Sequence, residues 1–321
     1  MTADSNTIEA FRKKLIEKGF EGLAKDLREN EIMKPHTSFR VGGPAQIYSE
    51  PSKTEEIVAL SDTAKELGLP CFLMGNGSNL VISDDGIDGL VIRLGENFSS
   101  ITSEEDPEDP DAVLVTAGAG TLLIRLSSFA AKNSLTGLEF ASGIPGSLGG
   151  AVFMNAGAYD HDMSEVIEKV TAISPSGEVR TWTKDELGLG YRKSCFMAND
   201  GIVCEAVLRL KKGDAELINS QIRTYTEKRT KSQPLNFPSA GSMFKRPEGH
   251  YTGALIEQAG LKGFSIGGAQ VSEKHAGFVI NKGDATAKDI DDLVRHIQNT
   301  IKEKFGVELQ REVRFIGRGF N

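Results

Sequence analysis

Pro70-Cys71-Phe72-Leu73-Met74-Gly75-Asn76-Gly77-Ser78-Asn79-Leu80-Val81-Ile82 is the stretch whose reading decides the fold class. Residues 70–74 form a short apolar run, the pattern of a buried strand, and 80–82 resume as another. The glycine cluster therefore joins two strands and opens no long helix. A Rossmann fingerprint needs strand, glycine turn and then helix, so this stretch argues against it. Successive backbone N–H groups in such a turn can form an anion nest, to which Ser78 and Asn79 add side-chain hydrogen bonds. Taken alone, the turn reads equally well as a tight hairpin connection.

Upstream, Thr37-Ser38-Phe39-Arg40-Val41-Gly42-Gly43-Pro44 leads into a strand at 45–48. Residues 52–68 follow as a helix: Ser52 and Glu55 have capping-box spacing, Ile57, Leu60, Ala64 and Leu67 make its apolar stripe, and Gly68 stops it. The charged stretch 7–30 reads as one amphipathic helix. Downstream, strands are expected at 87–94 and 112–118, separated by a solvated acidic loop at 104–111 that carries no chemistry. A helix at 121–133 is followed by a hairpin of 166–174 with 178–183 around Ser176-Gly177, then a strand at 202–210. A boundary is expected at Lys211-Lys212-Gly213-Asp214, with a helix beyond it. Thr286 and Asp289 cap the clearest helix, striped by Ile290, Leu293, Val294, Ile297, Ile301 and Phe305 and ended by Gly306; a strand at 307–316 closes the chain.

The 321 residues are 39% apolar and 26% charged, enough for a large core in two or three domains. A net charge of −8 argues against a nucleic-acid binder with a basic surface. Cys71, Cys195 and Cys204 show no C-x-x-C spacing, which argues against a zinc site or disulfide framework and fits a reducing cytoplasm. No metal site is expected. No apolar run nears the ~18 residues that span a bilayer, and no signal-peptide core is evident, so no membrane association is expected.

The densest glycine region is Ala141-Ser142-Gly143-Ile144-Pro145-Gly146-Ser147-Leu148-Gly149-Gly150-Ala151-Val152-Phe153-Met154-Asn155-Ala156-Gly157-Ala158-Tyr159. So many small residues let backbone press against something flat and extended, with N–H groups turned to phosphate. The embedded Val152, Phe153 and Met154 argue against a merely flexible loop. Tyr191-Arg192-Lys193-Ser194 and Gly241-Ser242-Met243-Phe244-Lys245-Arg246-Pro247 bring cations beside small polar residues. The second lacks the G-x-S-x-G pattern and has no nearby His in sequence, which speaks against a serine hydrolase. On the closing strand Val313 and Phe315 face one way, and Glu312, Arg314 and Ile316 the other, by period-two alternation. By pattern alone Arg192 is a surface charge and Glu312 part of a surface ladder.

In order along the chain, the 37–43 segment, the 75–79 turn, the 143–159 segment, Tyr191-Arg192-x-Ser194, Gly241-Ser242-x-Phe244-Lys245 and Glu312-Val313-Arg314-Phe315-Ile316-Gly317 closely resemble the UDP-N-acetylenolpyruvoylglucosamine reductase (MurB) family, over about 37–317. The span from Arg192 to Ser242 is too short for the extra tyrosine-bearing loop of one branch, so the resemblance is to the branch without it. The resemblance implies an α+β fold: a PCMH-type FAD-binding unit of two subdomains, at 31–86 and 87–212, and a C-terminal α+β substrate-binding domain at 213–321. Residues 1–30 would be an N-terminal helical extension.

It also implies noncovalent FAD, NADPH as co-substrate, and reduction of an enolpyruvyl nucleotide sugar in cytoplasmic peptidoglycan precursor synthesis, by a monomer. Arg192, Ser242 and Glu312 fall at the family's catalytic positions, Ser242 as proton donor. Arg40, Gly75, Asn76, Gly77, Ser78, Asn79, Ser142, Gly143, Ile144, Pro145, Gly146, Gly149, Gly150, Ala151 and Asn155 would bind the cofactor. Tyr191, Lys231, Lys245, Arg246 and His275 would meet the substrate. Arg311 departs from the pattern, since relatives commonly carry Pro there, and the change is expected to loosen the final strand.

Two other readings stay open. Another PCMH-type flavoprotein could hold FAD covalently through His36 or His161, and a non-catalytic module would keep the glycine motifs without needing Arg192, Ser242 and Glu312 together.

Overall fold

The computed structural model describes residues 5–174, 176–199 and 201–320. They form two compact units. The first holds 5–28, Tyr48–Asn76 and Leu90–Arg229; the second holds Glu29–Ile47, Gly77–Gly89 and 230–320. The chain passes from one to the other five times: within the strands Arg28–Ile32, Pro44–Ser49 and Ile87–Arg93, between Asn76 and Gly77, and near the end of the helix Ala215–Ser232.

The first unit is built on an antiparallel sheet whose main path runs Val179–Thr183, Ile167–Ile173, Ile202–Lys212, Ala112–Gly118, Ile101–Glu105. Register puts Val170 opposite Trp182 on one side and Ala206 on the other, with Ala206 in turn opposite Ala117. All four are buried, whereas Lys169 is exposed, as period-two alternation on a sheet with one covered face requires. Each large apolar side chain removed from water contributes roughly 1.5–3 kcal/mol. The short helix Leu148–Met154 packs on the long strand Ile202–Lys212, which sets the glycine-rich segment against the sheet. A second element is the parallel pairing of Cys71–Met74 with Leu90 to Arg93, with the helix Thr54–Glu66 packed against Cys71–Met74.

The second unit has its own core. Phe39, Val41 and Val81 pack with Met243, Phe244, Leu255, Ile256 and the buried face of the helix Ala287–Phe305. Leu80–Ile82 pairs in parallel with Arg314–Ile316, and Ser265–Ile266, Ala269–Val271 and Val279–Asn281 form a small antiparallel sheet. Thr286 and Asp289 make the expected reciprocal capping box, and Gly306 ends the helix in the left-handed conformation at φ 69°. Asp84 adds a second acidic cap from far away in sequence, accepting from the N–H groups of Ala287 and Lys288 at 2.9 Å each.

Several local expectations change. Residues 7–30 are two helices, Ser5–Glu17 and Glu21–Asp26, broken at Gly19 (φ 85°), followed by the strand Arg28–Ile32. The helix at 54–66 has no Ser52–Glu55 box; Ser52 instead donates from its N–H and hydroxyl to the Glu56 carboxylate. Glu104 and Glu105 are not loop but part of the edge strand Ile101–Glu105. The acidic stretch after it is not wholly solvated either, since Asp106 is buried against Arg209 at 3.0 Å. The closing strand shrinks to Arg314–Ile316, and Phe305 stays 37% exposed beyond the helix stripe. The helix Ala215–Ser232, expected in the substrate-binding domain, belongs mostly to the first unit, and segments 31–47 and 77–89, expected in the FAD-binding subdomains, belong to the second.

Candidate functional site

In the first unit, Gly75, Asn76 and the 141–157 segment come together. A Cβ on Gly75 would lie 2.1 Å from the Ser147 hydroxyl, so a larger residue there would have to turn that hydroxyl aside. The Asn76 side-chain amide donates to the Pro145 carbonyl at 2.6 Å. Gly143, Ile144, Pro145, Gly146, Gly149 and Gly150 continue the same segment with Gly150 exposed, whereas Ala151, expected to meet the cofactor, is buried.

The hydroxyls of Ser142 and Ser147 are buried there without a hydrogen-bond partner among the described residues. A buried unsatisfied hydroxyl costs about 1–3 kcal/mol, so a ligand that accepts from it relieves a real penalty. Two such hydroxyls in a segment of small residues fit the phosphate-rich body of a dinucleotide cofactor. FAD suits these residues on that ground.

Two further features of this region escaped the sequence reading. Arg229 lies beside the same loop: a Cβ on Gly143 would meet its Cδ at 2.8 Å. Burial pulls the Arg229 guanidinium below its ordinary pKa, and no ion pair engages it among the described residues. Tyr159 stacks flat on Tyr225, with centroids 4.2 Å apart, and its hydroxyl donates to the Tyr225 carbonyl at 2.9 Å. Burial raises the Tyr159 phenol, while the Arg229 charge opposes the shift. Ser147 was visible inside the glycine motif. Arg229 and Tyr225 were not, because a charged 18-residue helix gives no sign of which of its residues faces a loop 66 to 86 positions earlier.

Arg192 sits in a tight turn closed by reciprocal hydrogen bonds between Gly190 and Lys193, at 3.1 Å each. Its φ is +51°, a strained backbone for a side-chain-bearing residue. Its Nη2 donates to the Gly157 carbonyl at 3.1 Å, and its guanidinium carbon lies 5.0 Å from the ring centroid of Tyr191, which is itself exposed. The Asn155 side chain, expected to meet the cofactor, is 1% exposed and bonded to protein at both ends.

In the second unit the structure brings Ser242 and Glu312 onto adjoining backbone. The Glu312 N–H donates to the Met243 carbonyl at 2.9 Å, the Lys245 N–H to the Gln310 carbonyl at 2.8 Å, and Phe244 bridges Arg311. Asn79 is drawn in by its side-chain amide, which donates to the Glu312 carbonyl at 3.1 Å. Gly77 (φ 63°) leaves room for the His36 carbonyl, 2.0 Å from where its Cβ would be, and its own carbonyl accepts from Ser38 N–H.

Arg40, at φ 56°, stands exposed on a turn whose neighbours are tied to the Ser242 side. The Ser38 hydroxyl donates to the Ser239 carbonyl and the Asn281 amide to the Phe39 carbonyl. Ser242 and Arg246 are exposed, and Arg246 lies 4.0 Å over the Tyr251 ring.

His275 is half-buried; its Nδ1 accepts from the Gly277 N–H at 3.1 Å, and burial lowers its pKa. Gly277 also receives the Met243 N–H, so His275 is two links from Ser242. Lys231 is exposed beside Thr230, whose carbonyl binds Lys274. Among the described residues, no group of His, Cys, Asp and Glu is arranged to hold a metal, and no helix is long and apolar enough to cross a membrane.

Comparison with known proteins agrees with this geometry. Residues 45–183 match the FAD binding domain family, and 233–316 match the C-terminal domain of UDP-N-acetylenolpyruvoylglucosamine reductase. The reductase of that name from Clostridium perfringens (strain SM101 / Type A) is 49% identical over 294 residues, 92% of this chain and 94% of its own. The one from Agathobacter rectalis is 47% identical, over 91% of this chain and 94% of its own. The crystal structure of the reductase (MurB) from Thermus caldophilus superposes with a TM-score of 0.77 at 36% identity, covering 90% of this chain and 99% of that one. With this identity along nearly its whole length, and with an FAD-binding fold of the PCMH type followed by the MurB C-terminal domain, the chain belongs to the UDP-N-acetylenolpyruvoylglucosamine reductase family.

Proposed function

We propose that this protein reduces the enolpyruvyl group of UDP-N-acetylglucosamine enolpyruvate to UDP-N-acetylmuramate, with FAD as noncovalent cofactor and NADPH as the electron source. The observation that carries the reading is the pairing of Met243 with Glu312, which sets two of the three expected catalytic residues, Ser242 and Glu312, on adjoining backbone. A module that only bound flavin or a nucleotide would have no use for that arrangement. The two histidines that a covalent flavin link would use are both engaged with carboxylates, His36 with Glu31 at 2.8 Å and His161 with Glu165 at 2.9 Å, which supports noncovalent binding.

Bound FAD supplies the two-electron redox chemistry that no side chain here can supply. The remaining work falls to the chain. The net change is one hydride and one proton added across the substrate's carbon–carbon double bond, the hydride at the terminal methylene and the proton at the adjacent carbon. Negative charge builds at that adjacent carbon and spreads into the carboxylate. Arg192, permanently charged, stabilises it there. Glu312 contributes the third group at the same carboxylate. Ser242 delivers the proton through its hydroxyl, with Lys245 supporting the negative charge left on oxygen. Tyr191, Lys231, Arg246 and His275 offer contacts to the rest of the substrate. Ser142, Ser147 and the N–H groups of the glycine-rich segment would hold the cofactor, and Arg229 would add positive charge there.

The test is anaerobic. The yellow holoenzyme, mixed with NADPH, bleaches; added enolpyruvyl nucleotide sugar restores the colour. A purified protein with no flavin absorbance that added FAD cannot restore would overturn the proposal. A bleached enzyme indifferent to the nucleotide sugar would refute the substrate assignment.

A further inference from the structure

We infer that Asn155 is a positioning residue for Arg192: its side-chain amide holds the strained turn that aims the guanidinium, and it does not contact the cofactor. The inference rests on the role given to Arg192 above and on the contacts around one buried amide.

Asn155 ends the helix Leu148–Met154 in the left-handed conformation, φ 42° and ψ 61°, and is 1% exposed. Its Nδ2 donates to the Gly190 carbonyl and its Oδ1 accepts from the Ser164 N–H, both at 2.9 Å. The orientation of the amide follows from chemistry: a carbonyl demands a donor and an N–H demands an acceptor, so the group fits only one way round. Asn tolerates the left-handed backbone better than most residues, and it alone joins that tolerance to a short side chain with one donor end and one acceptor end.

Gly190 is the first residue of the turn that carries Arg192, and its carbonyl also accepts from Lys193 N–H. Two more bonds reach from the same segment to the same turn. The Ser194 hydroxyl donates to the Phe153 carbonyl at 2.7 Å, and Arg192 itself donates to the Gly157 carbonyl at 3.1 Å. Residues 153–157 thus grip 190–194 at three points. Arg192 needs that grip because its φ of +51° is unfavourable, and a turn left to itself relaxes away from it. The end of the glycine-rich segment therefore has a task beyond the cofactor: it builds the seat for the cation.

Asn155→Asp separates the two bonds. Its carboxylate still accepts from Ser164 N–H and still tolerates the left-handed backbone, but it cannot donate to Gly190. In the apo protein, hydrogen exchange of the amides in 190–194 should rise at least tenfold, with the sheet strands unchanged. In the holoenzyme, bleaching by NADPH should stay within about twofold of wild type. Recovery of colour with the enolpyruvyl nucleotide sugar should slow by about 10- to 100-fold, the cost of a misplaced catalytic group. In the Arg192→Ala background the same change should add less than about twofold, because the two act as one unit. Ser194→Ala, which removes a separate grip on the turn, should show the same pattern and serves if Asn155→Asp does not fold.

Loss of FAD from folded Asn155→Asp protein, unchanged exchange at 190–194, or an undiminished effect in the Arg192→Ala background would each overturn the inference. If Arg192→Ala itself recovers colour at the wild-type rate, the role given to Arg192 fails instead.

Discussion

The backbone N–H of Glu312 donates to the carbonyl oxygen of Met243 at 2.9 Å, so Glu312 and Ser242, the residue before Met243, share one short backbone junction. Met243 is fully buried while Ser242 beside it is exposed, which anchors the hydroxyl's backbone without covering the hydroxyl. Ser242→Ala should therefore fold normally and bleach normally with NADPH. Recovery with the nucleotide sugar should fall by at least about 100-fold, the usual worth of a positioned general acid. Stopped-flow absorbance of the flavin separates the two phases, and an equal loss in both would point to disturbed folding of the junction.

Arg311 tethers the segment that carries Glu312. Its Nη2 donates to Asp291 at 2.7 Å and its guanidinium lies 4.2 Å over the Phe315 ring, so the segment leading to Glu312 is tied to the final helix. The loosening expected from the absence of Pro is thus opposed. Asp291 is 8% exposed and keeps Arg295 as a second partner at 2.7 Å, which limits the damage when Arg311 is lost. Arg311→Ala should cost about 1–2 kcal/mol, less than stranding a buried charge outright. Urea unfolding measures it, and an Asp291→Ala, Arg311→Ala double variant should be less destabilised than the sum of the singles.

The local parts of the fold were readable in the sequence because their signals are local. The Thr286–Asp289 box, the Gly306 stop and the strand–turn–strand reading of 70–82 each depend on residues within a turn or two of one another, and the structure contains all three. What could not be read depends on distant partners. Phe39 and Val41 pack with residues some 200 positions later, so nothing nearby marks segments 29–47 and 77–89 as part of the second unit. Asp84 looks like a loop residue until it is found capping a helix more than 200 positions away. The site behaved the same way: the glycine clusters were visible as motifs, whereas the half-buried cation Arg229 and the engaged amide of Asn155 emerge only from tertiary contacts.

The His275 ring gives a pH dependence with a defined sign. Burial lowers its folded pKa from the ordinary value of 6.5, and a proton on Nδ1 would end the bond from Gly277 N–H. The unfolded chain therefore takes up the proton first as pH falls. The contribution is full above about pH 6.5 and is lost as pH drops through the lowered folded value. The gap in denaturant midpoint between wild type and His275→Gln should shrink as pH falls from 8 to 5. A gap independent of pH would mean that protonation of this ring is not linked to folding.

Gly77 and Gly188 provide a matched pair for the cost of close approach. Both have positive φ, 63° and 53°, so alanine at either meets the same backbone penalty of about 1 kcal/mol. At Gly188 a Cβ would meet no atom within 4 Å, and that penalty is all it should show. At Gly77 it would lie 2.0 Å from the His36 carbonyl oxygen and 3.1 Å from the Thr37 Cα, and neither is the movable end of a side chain. The turn must shift there, putting the Ser38 N–H bond to the Gly77 carbonyl at risk. Overpacking adds about 1–3 kcal/mol, so Gly77→Ala should lose about 2–4 kcal/mol in all. Thermal unfolding of the two variants side by side decides it: equal shifts would mean that backbone strain alone, and not contact with the 36–37 segment, requires glycine at position 77.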